Sequence, residues 1–219
     1  MTLSDASLKE RAARALLEVH AVFLRPDDPF TWASGIKSPI YCDNRLTLSD
    51  HKVRSLIEEG IASTISALFP ECEALMGTST AGIPHAAIAA HLLKLPMGYV
   101  RGDRKDHGRN NQVEGRLLPG QKVVVIEDLI STAGSVVEVV QILRTAGAQV
   151  LGIVSIFTYG MRKGLERLKE AGVENHSITD FDTLIHLAAD ENYIARKDVA
   201  RLLAFRDDPT DESWIGENR

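Results

Sequence analysis

The sequence predicts an α/β fold, a mainly parallel, doubly wound sheet flanked by helices, and three observations predict it. Short strand-like runs recur at Ala74–Gly77, Met97–Arg101, Val123–Ile126 and Gln149–Thr158, the third of them wholly β-branched. Each of the first three ends in a loop of small or polar residues. Segments with helical periodicity separate the runs, and strands alternating with helices of about 10–15 residues imply right-handed βαβ crossovers.

Taken in order, Leu8, Ala12, Ala15, Leu16, Val19, Val22 and Phe23 form one helical face across residues 4–24, with Ser4 or Asp5 as cap and Pro26 beyond the end. Residues 29–49 are rich in turn formers and aromatics and read as loop, with IYCDNRL as a strand candidate. Asp50 starts a second helix with Val53, Leu56, Ile57, Ile61, Ile65 and Leu68 on its buried side. Ala74–Gly77 feeds the loop GTSTAGIP, and HAAIAAHLLK behind it is an Ala-rich helix. Met97–Arg101 runs into GDRKDHGRNNQVEG, which is polar, flanked by glycines and locally positive on an acidic chain; this composition predicts an exposed, mobile loop. After the central unit come the buried strand Gln149–Thr158, a helix over Gly164–Ala171 stopped by Gly172, and a short strand at His176–Thr179. Asp180 caps FDTLIHLAA, Lys197–Phe205 closes the fold as an amphipathic helix, and the polar tail beyond Pro209 is expected to fray.

The composition excludes several classes. The 219 residues allow one good-sized core, and 44% apolar with 25% charged residues is ordinary for a soluble globular chain. A net charge of −5 argues against general binding of nucleic acid or of a membrane surface. No apolar run approaches the roughly 20 residues that span a bilayer, and the polar N-terminus has no signal-peptide core. Cys42 and Cys72 are too few for a disulfide framework or a cysteine metal site, which suits a reduced, cytoplasmic protein. The histidines outside the positive loop have no metal-ligand spacing, and no protein metal site is expected.

The chemistry concentrates in KVVVIEDLISTAGS. The apolar strand stops at Glu127 and Asp128; Leu129 and Ile130 follow, then Ser131, Thr132, Ala133, Gly134 and Ser135, and then a helix. A loop that opens a helix offers backbone N–H groups and the positive end of the helix dipole to an anion. Small residues let a phosphate approach, and the hydroxyls can donate to it. A carboxylate pair beside them suits ribose hydroxyls or a metal carried by the ligand. GTSTAGIP repeats this design in weaker form. All three loops follow strands, so all three belong on the carboxyl edge of the sheet, where ligands of open α/β folds bind. No GxGxxG follows a strand and no GxxxxGK[ST] occurs, so dinucleotide and P-loop readings fail.

IEDLISTAGS resembles the phosphoribosyl-diphosphate (PRPP) motif of the type I phosphoribosyltransferases. RGDRKDHGRNNQVEG resembles the catalytic loop of the orotate branch of that family, through Arg101, Lys105, His107 and Gly108, and FTWASGIKSPIYCDNR resembles its N-terminal, base-side segment. The resemblance runs from about Phe30 to Thr158. It implies a single domain over residues 1–219, with an N-terminal helix and hood segment (1–48), a PRPP-binding core (49–209) and a tail (210–219). It also implies transfer of ribose 5-phosphate from PRPP to orotate with Mg²⁺ as cofactor, in a homodimer whose catalytic loop serves the neighbouring subunit.

By that resemblance Glu127, Asp128, Leu129, Ile130, Ser131, Thr132, Ala133, Gly134 and Ser135 hold the ribose 5-phosphate, with the carboxylates on the ribose hydroxyls. Ser131 also meets orotate. Arg101, Lys105 and His107 grip the diphosphate, Lys105 and His107 are the catalytic candidates, and Gly77–Gly82 binds diphosphate through its backbone. The chain departs from the pattern at Gly102, where many members carry a Lys, and at Ala33 and Tyr159, where some carry a Lys and an Arg for orotate; Lys37, Arg45 and backbone N–H groups are candidates in their place. Two rival readings are a phosphoribosyltransferase for another base, such as a purine, and a PRPP-sensing regulator that binds nucleic acid. The Arg-x-x-x-Lys-x-His loop argues against the first, and the acidic net charge against the second.

Overall fold

The computed structural model describes residues 7–32, 34–102 and 112–216. Its centre is a six-stranded sheet built from β5 (Ala74–Thr78), β6 (Met97–Val100), β7 (Val113–Glu114), β8 (Lys122–Ile130), β9 (Gln149–Thr158) and β10 (Asn175–Asp180), in the order β10-β9-β8-β5-β6-β7. All neighbours are parallel except the edge pair β6–β7. The alternation of the central strands divides the interior in two. Val124 and Ile126 of β8 and Leu75 of β5 face a core closed by α1 (Leu8–Glu18), α2 (His51–Leu68), α3 (Gly82–Leu93), α6 (Phe181–Asp190) and α7 (Asp198–Asp207). Val123, Val125, Ala74 and Met76 face a second core closed by α4 (Gly134–Thr145) and α5 (Arg162–Glu170). Strands buried on both faces explain why these runs are apolar throughout rather than alternating.

The N-terminal segment lies over the first core as two small antiparallel pairs: β1 (Val22–Leu24) on β4 (Ile40–Cys42), and β2 (Phe30–Thr31) on β3 (Lys37–Ser38). Here the structure corrects the sequence reading. The first helix stops at Glu18; His20 takes a left-handed backbone (φ 54°), and Val22 and Phe23, which continue the helical period, are strand. Its cap is Ser7, whose hydroxyl accepts from Glu10 N while Glu10 returns a bond to Ser7 N, a reciprocal capping box. Only Ile40–Cys42 of the expected strand forms, and Asn44–Ser49 winds into a 3₁₀ helix.

Caps read from the sequence hold at both Asp50, which accepts from Lys52 N and Val53 N, and Asp180, which accepts from Thr183 N. The tail does not fray through Gly216. Trp214 is buried against Phe205, and the Arg201 guanidinium donates to the carbonyls of Trp214, Ile215 and Pro26. Between α2 and α3, the fully buried His85 and Glu58 side chains meet at 2.6 Å and tie the two helices together.

Candidate active site

The carboxyl ends of β5, β6 and β8 and the first turns of α4 enclose a cavity of about 310 Å³. Its walls come from Thr78–Ala81 after β5, Val100–Gly102 after β6, Glu127–Leu129 of β8, and Ser135, Glu138, Val139 and Ile142 of α4. The loops after β5 and β8 singled out in the sequence, and Arg101 and Gly102 at the start of the third, belong to this edge, where open α/β sheets bind ligands.

The acid pair sits inside the strand, not beyond it, because β8 continues to Ile130. A charged residue tolerates that position only with partners, and Glu127, 6% exposed, has them. Thr78 Oγ1 on the neighbouring strand donates to Glu127 Oε1 at 2.8 Å, and Asp128 N donates to the same oxygen at 2.9 Å. Burial, followed by the adjoining Asp128 carboxylate, pushes the Glu127 carboxyl up to about 8, so near neutrality it holds a proton. Hydroxyl donors from a bound ribose would favour the fully charged pair. Asp128 is fixed from behind: the buried Asn44 side chain donates to its carbonyl at 2.7 Å, and Asn44 Oδ1 in turn accepts from the Cys42 thiol.

Ser131 to Ala133 make the turn into α4. Ala133 adopts a left-handed backbone (φ 57°, ψ 12°), and no side chain caps the helix, so the N–H groups of its first turn face outward uncommitted. The first turn holds no acidic residue to repel an anion. The structure thus brings Arg101, Glu127, Asp128, Leu129 and Ser135 to one cavity. Ile130 and Ala133 are buried in the core under α4 instead, where they hold the turn in place. Gly134 lies at the open start of the helix, while Ser131 and Thr132 turn toward α5. Thr132 lines a separate cavity of about 410 Å³ shared with Ile36 of the hood and Met161.

On the opposite wall Gly77 and Gly82 let α3 start against β5 and β8. A Cβ on Gly82 would stand 2.4 Å from Ile126 O and from Thr78 Oγ1. The Ser79–Thr80 peptide is cis, and Ser79 Oγ donates to Val100 O while accepting from Gly102 N. Arg101 N donates to Gln112 O, so residues 101 and 112 close the stem between β6 and β7. Lys105 and His107 lie outside the described residues, as does Ala33. Of the cations considered for orotate, Arg45 is held by both oxygens of Asp43 and Lys37 donates to Thr31 Oγ1. Tyr159 is buried among Trp32, Phe157 and Phe181. Among the described residues no three His, Cys, Asp or Glu side chains come together to hold a metal, and no helix is long and apolar enough to cross a membrane.

Three residues that hold the walls and turn of this edge escaped the sequence reading as individuals: Thr78, Asn44 and Arg167, whose Nη1 donates to Thr132 O at 2.9 Å. Thr78 and Asn44 lie in segments flagged there, GTSTAGIP and CDNR. Arg167 sits in an ordinary charged helix with no local signal.

An α/β sheet with an acid pair and an open helix N-terminus at its carboxyl edge defines a sugar-phosphate enzyme class, and the model of the phosphoribosyl transferase domain matches residues 48–186. Orotate phosphoribosyltransferases of Listeria monocytogenes and Bacillus cereus are each 52% identical over 208 residues, covering 95% of this chain and 99% of theirs. The chain belongs to the orotate phosphoribosyltransferase family. Among solved structures, orotate phosphoribosyltransferase from Aeropyrum pernix superimposes with a TM-score of 0.72 at 29% identity, covering 84% of this chain and 99% of that one. Leishmania donovani UMP synthase gives 0.76 at 26% identity over 91% of this chain, which accounts for 42% of the longer protein.

Proposed function

We propose that this chain transfers ribose 5-phosphate from PRPP to N1 of orotate, giving orotidine 5′-phosphate and diphosphate for pyrimidine synthesis. One observation carries the donor side: the acid pair, the uncapped start of α4 and the loop after β5 converge on a single cavity. Family membership at 52% identity supports orotate as acceptor.

In this reading the turn at Ser131–Ser135 receives the 5-phosphate on backbone N–H groups and hydroxyls, while Glu127 and Asp128 accept from the ribose hydroxyls. The C1–O bond breaks with its electron pair leaving on diphosphate, the ribose passes through oxocarbenium character, and orotate N1 supplies the pair for the new C–N bond as its own N–H proton passes to the departing diphosphate. Fixed acceptors on the hydroxyls orient the ring for in-line attack. Arg101, Lys105 and His107 grip the diphosphate, Lys105 and His107 donating to the leaving oxygen. Ser131 stands where the phosphate turn adjoins the base.

The donor set fits an Mg²⁺ that arrives on the substrate: Mg²⁺ keeps most of its waters, and the acidic wall of Glu127 and Asp128 faces the cavity, with no further carboxylate, His or Cys among the described residues joining the pair into a cage. When bound, the ion would neutralise charge growing on the diphosphate. The active unit is a homodimer in which each Lys105–His107 segment serves its neighbour's site. A cytoplasmic setting suits the unpaired Cys42 and Cys72.

Incubating the protein with PRPP, Mg²⁺ and orotate should consume the orotate absorbance, and omission of Mg²⁺ should stop it. Consumption of a purine in place of orotate would overturn the acceptor. For the shared site, mixing Lys105→Ala with Asp128→Ala subunits should restore activity that neither has alone; a mixture as inactive as its components would refute it.

A further inference from the structure

We infer that Arg167, on a helix outside the cavity, is a positioning residue for the 5-phosphate; this rests on reading the turn at 131–135 as the phosphate seat. A backbone turn binds an anion only if its N–H groups face the ligand and its carbonyls do not. Here α5 takes charge of the carbonyls. Gly164 packs against Ser131 so closely that a Cβ would stand 2.5 Å from Ser131 O, and Arg167 Nη1 donates to Thr132 O at 2.9 Å. Gly164 and Arg167 are three residues apart, hence on one face of the helix. Both carbonyls that precede the left-handed Ala133 are therefore held on the α5 side, and the chain enters α4 with its first N–H groups free.

The guanidinium also lies against the first residue of α4, since a Cβ on Gly134 would be 3.1 Å from Arg167 Nη1. Its charge thus adds to the positive end of the helix dipole within one turn of the anion. Among the described residues no carboxylate forms an ion pair with Arg167, so that charge is not spent elsewhere. Arg167 acts through the loop and need not touch the substrate.

The test compares Arg167→Met, which keeps the packing stem and loses the donor, with Arg167→Lys, which keeps a cationic donor of similar reach. Loss of a charged hydrogen bond predicts a rise of about tenfold in KM for PRPP and in Kd for ribose 5-phosphate in Arg167→Met. The Kd for diphosphate, the KM for orotate and kcat should stay at their wild-type values, because the 5-phosphate is held alike in ground and transition states. Arg167→Lys should recover most of the loss. A KM for PRPP within twofold of wild type in Arg167→Met overturns the inference. So does a parallel rise in both KM values with a fall in Tm, which marks a merely structural role. A wild-type chain that binds neither PRPP nor ribose 5-phosphate overturns the reading of the seat itself, and this assignment with it.

Discussion

The strand–turn–helix units β5–α3 and β8–α4 share a plan, and the comparison turns on the first residue of the helix. In β5–α3 that residue is Gly82, wedged between Ile126 O and Thr78 Oγ1 with no space for a methyl group. In β8–α4 it is Gly134, whose missing Cβ would meet only the flexible end of Arg167. One glycine lets two backbones close on each other; the other keeps a helix start open to a ligand. The first unit builds the wall that fixes Glu127 through Thr78, and the second supplies the uncommitted N–H groups. The same motif in sequence thus closes strand on helix in one place and, in the proposed reading, seats the 5-phosphate in the other, while both units line the cavity.

The severest test asks whether these two backbone cradles suffice without the segment between them. Lys105→Ala should lower kcat by about 10²–10³ with Tm unchanged, the usual cost of one electrostatic contact to a leaving group; full turnover would leave the cradles as the whole machine. Next, Gly82→Ala should destabilise by about 2–3 kcal/mol through overpacking, and Gly134→Ala by less than about 1 kcal/mol because Arg167 can give way. Thermal unfolding of the pair measures the contrast directly, and equal losses would erase it.

A titration sharpens the role of the first wall. Glu127 is raised from an ordinary 4.5 to about 8, so its contribution to stability is fully present below pH 4.5 and is lost as pH rises through about 8. Tm of the wild type should therefore fall across that window relative to Glu127→Gln. Ligand hydroxyls favour the charged pair, so PRPP binding at pH 7 should release protons, seen as a buffer-dependent heat in calorimetry. The smallest effect belongs to the open helix start: Ser135→Ala removes one hydroxyl donor and should raise KM for PRPP by about two- to tenfold.

Much of this was legible in the chain because its signals are local. Asp50 and Asp180 announce their helices by capping them, and the small-residue turn after the acid pair needs no distant partner to be recognised. The boundary of β8 was not legible. Charged Glu127 reads as the end of a strand, yet Thr78 and Asp128 N replace water around it and the strand runs on to Ile130. The same holds for the end of the first helix, where a turn at residues 19–21 that no Gly or Pro marks sends Val22 and Phe23, which keep helical spacing, into a strand paired with Cys42 and Tyr41. Arg167 and Trp214 were invisible for a related reason: Arg167 donates to the Thr132 carbonyl, and the Trp214 carbonyl accepts from Arg201, so each bond joins separate parts of the chain.

The Asn44 bond bears on how such a protein can be cut and recombined. The matched family core begins at residue 48, four residues after Asn44, whose side chain holds the carbonyl of Asp128 and is itself fully buried. A module trimmed to that core would keep every residue of the acid pair and lose the strut behind it, along with the cover over the first hydrophobic layer. Grafting this catalytic edge onto another scaffold therefore means moving the N-terminal segment too, since the unit of transplantation is larger than the unit of sequence similarity.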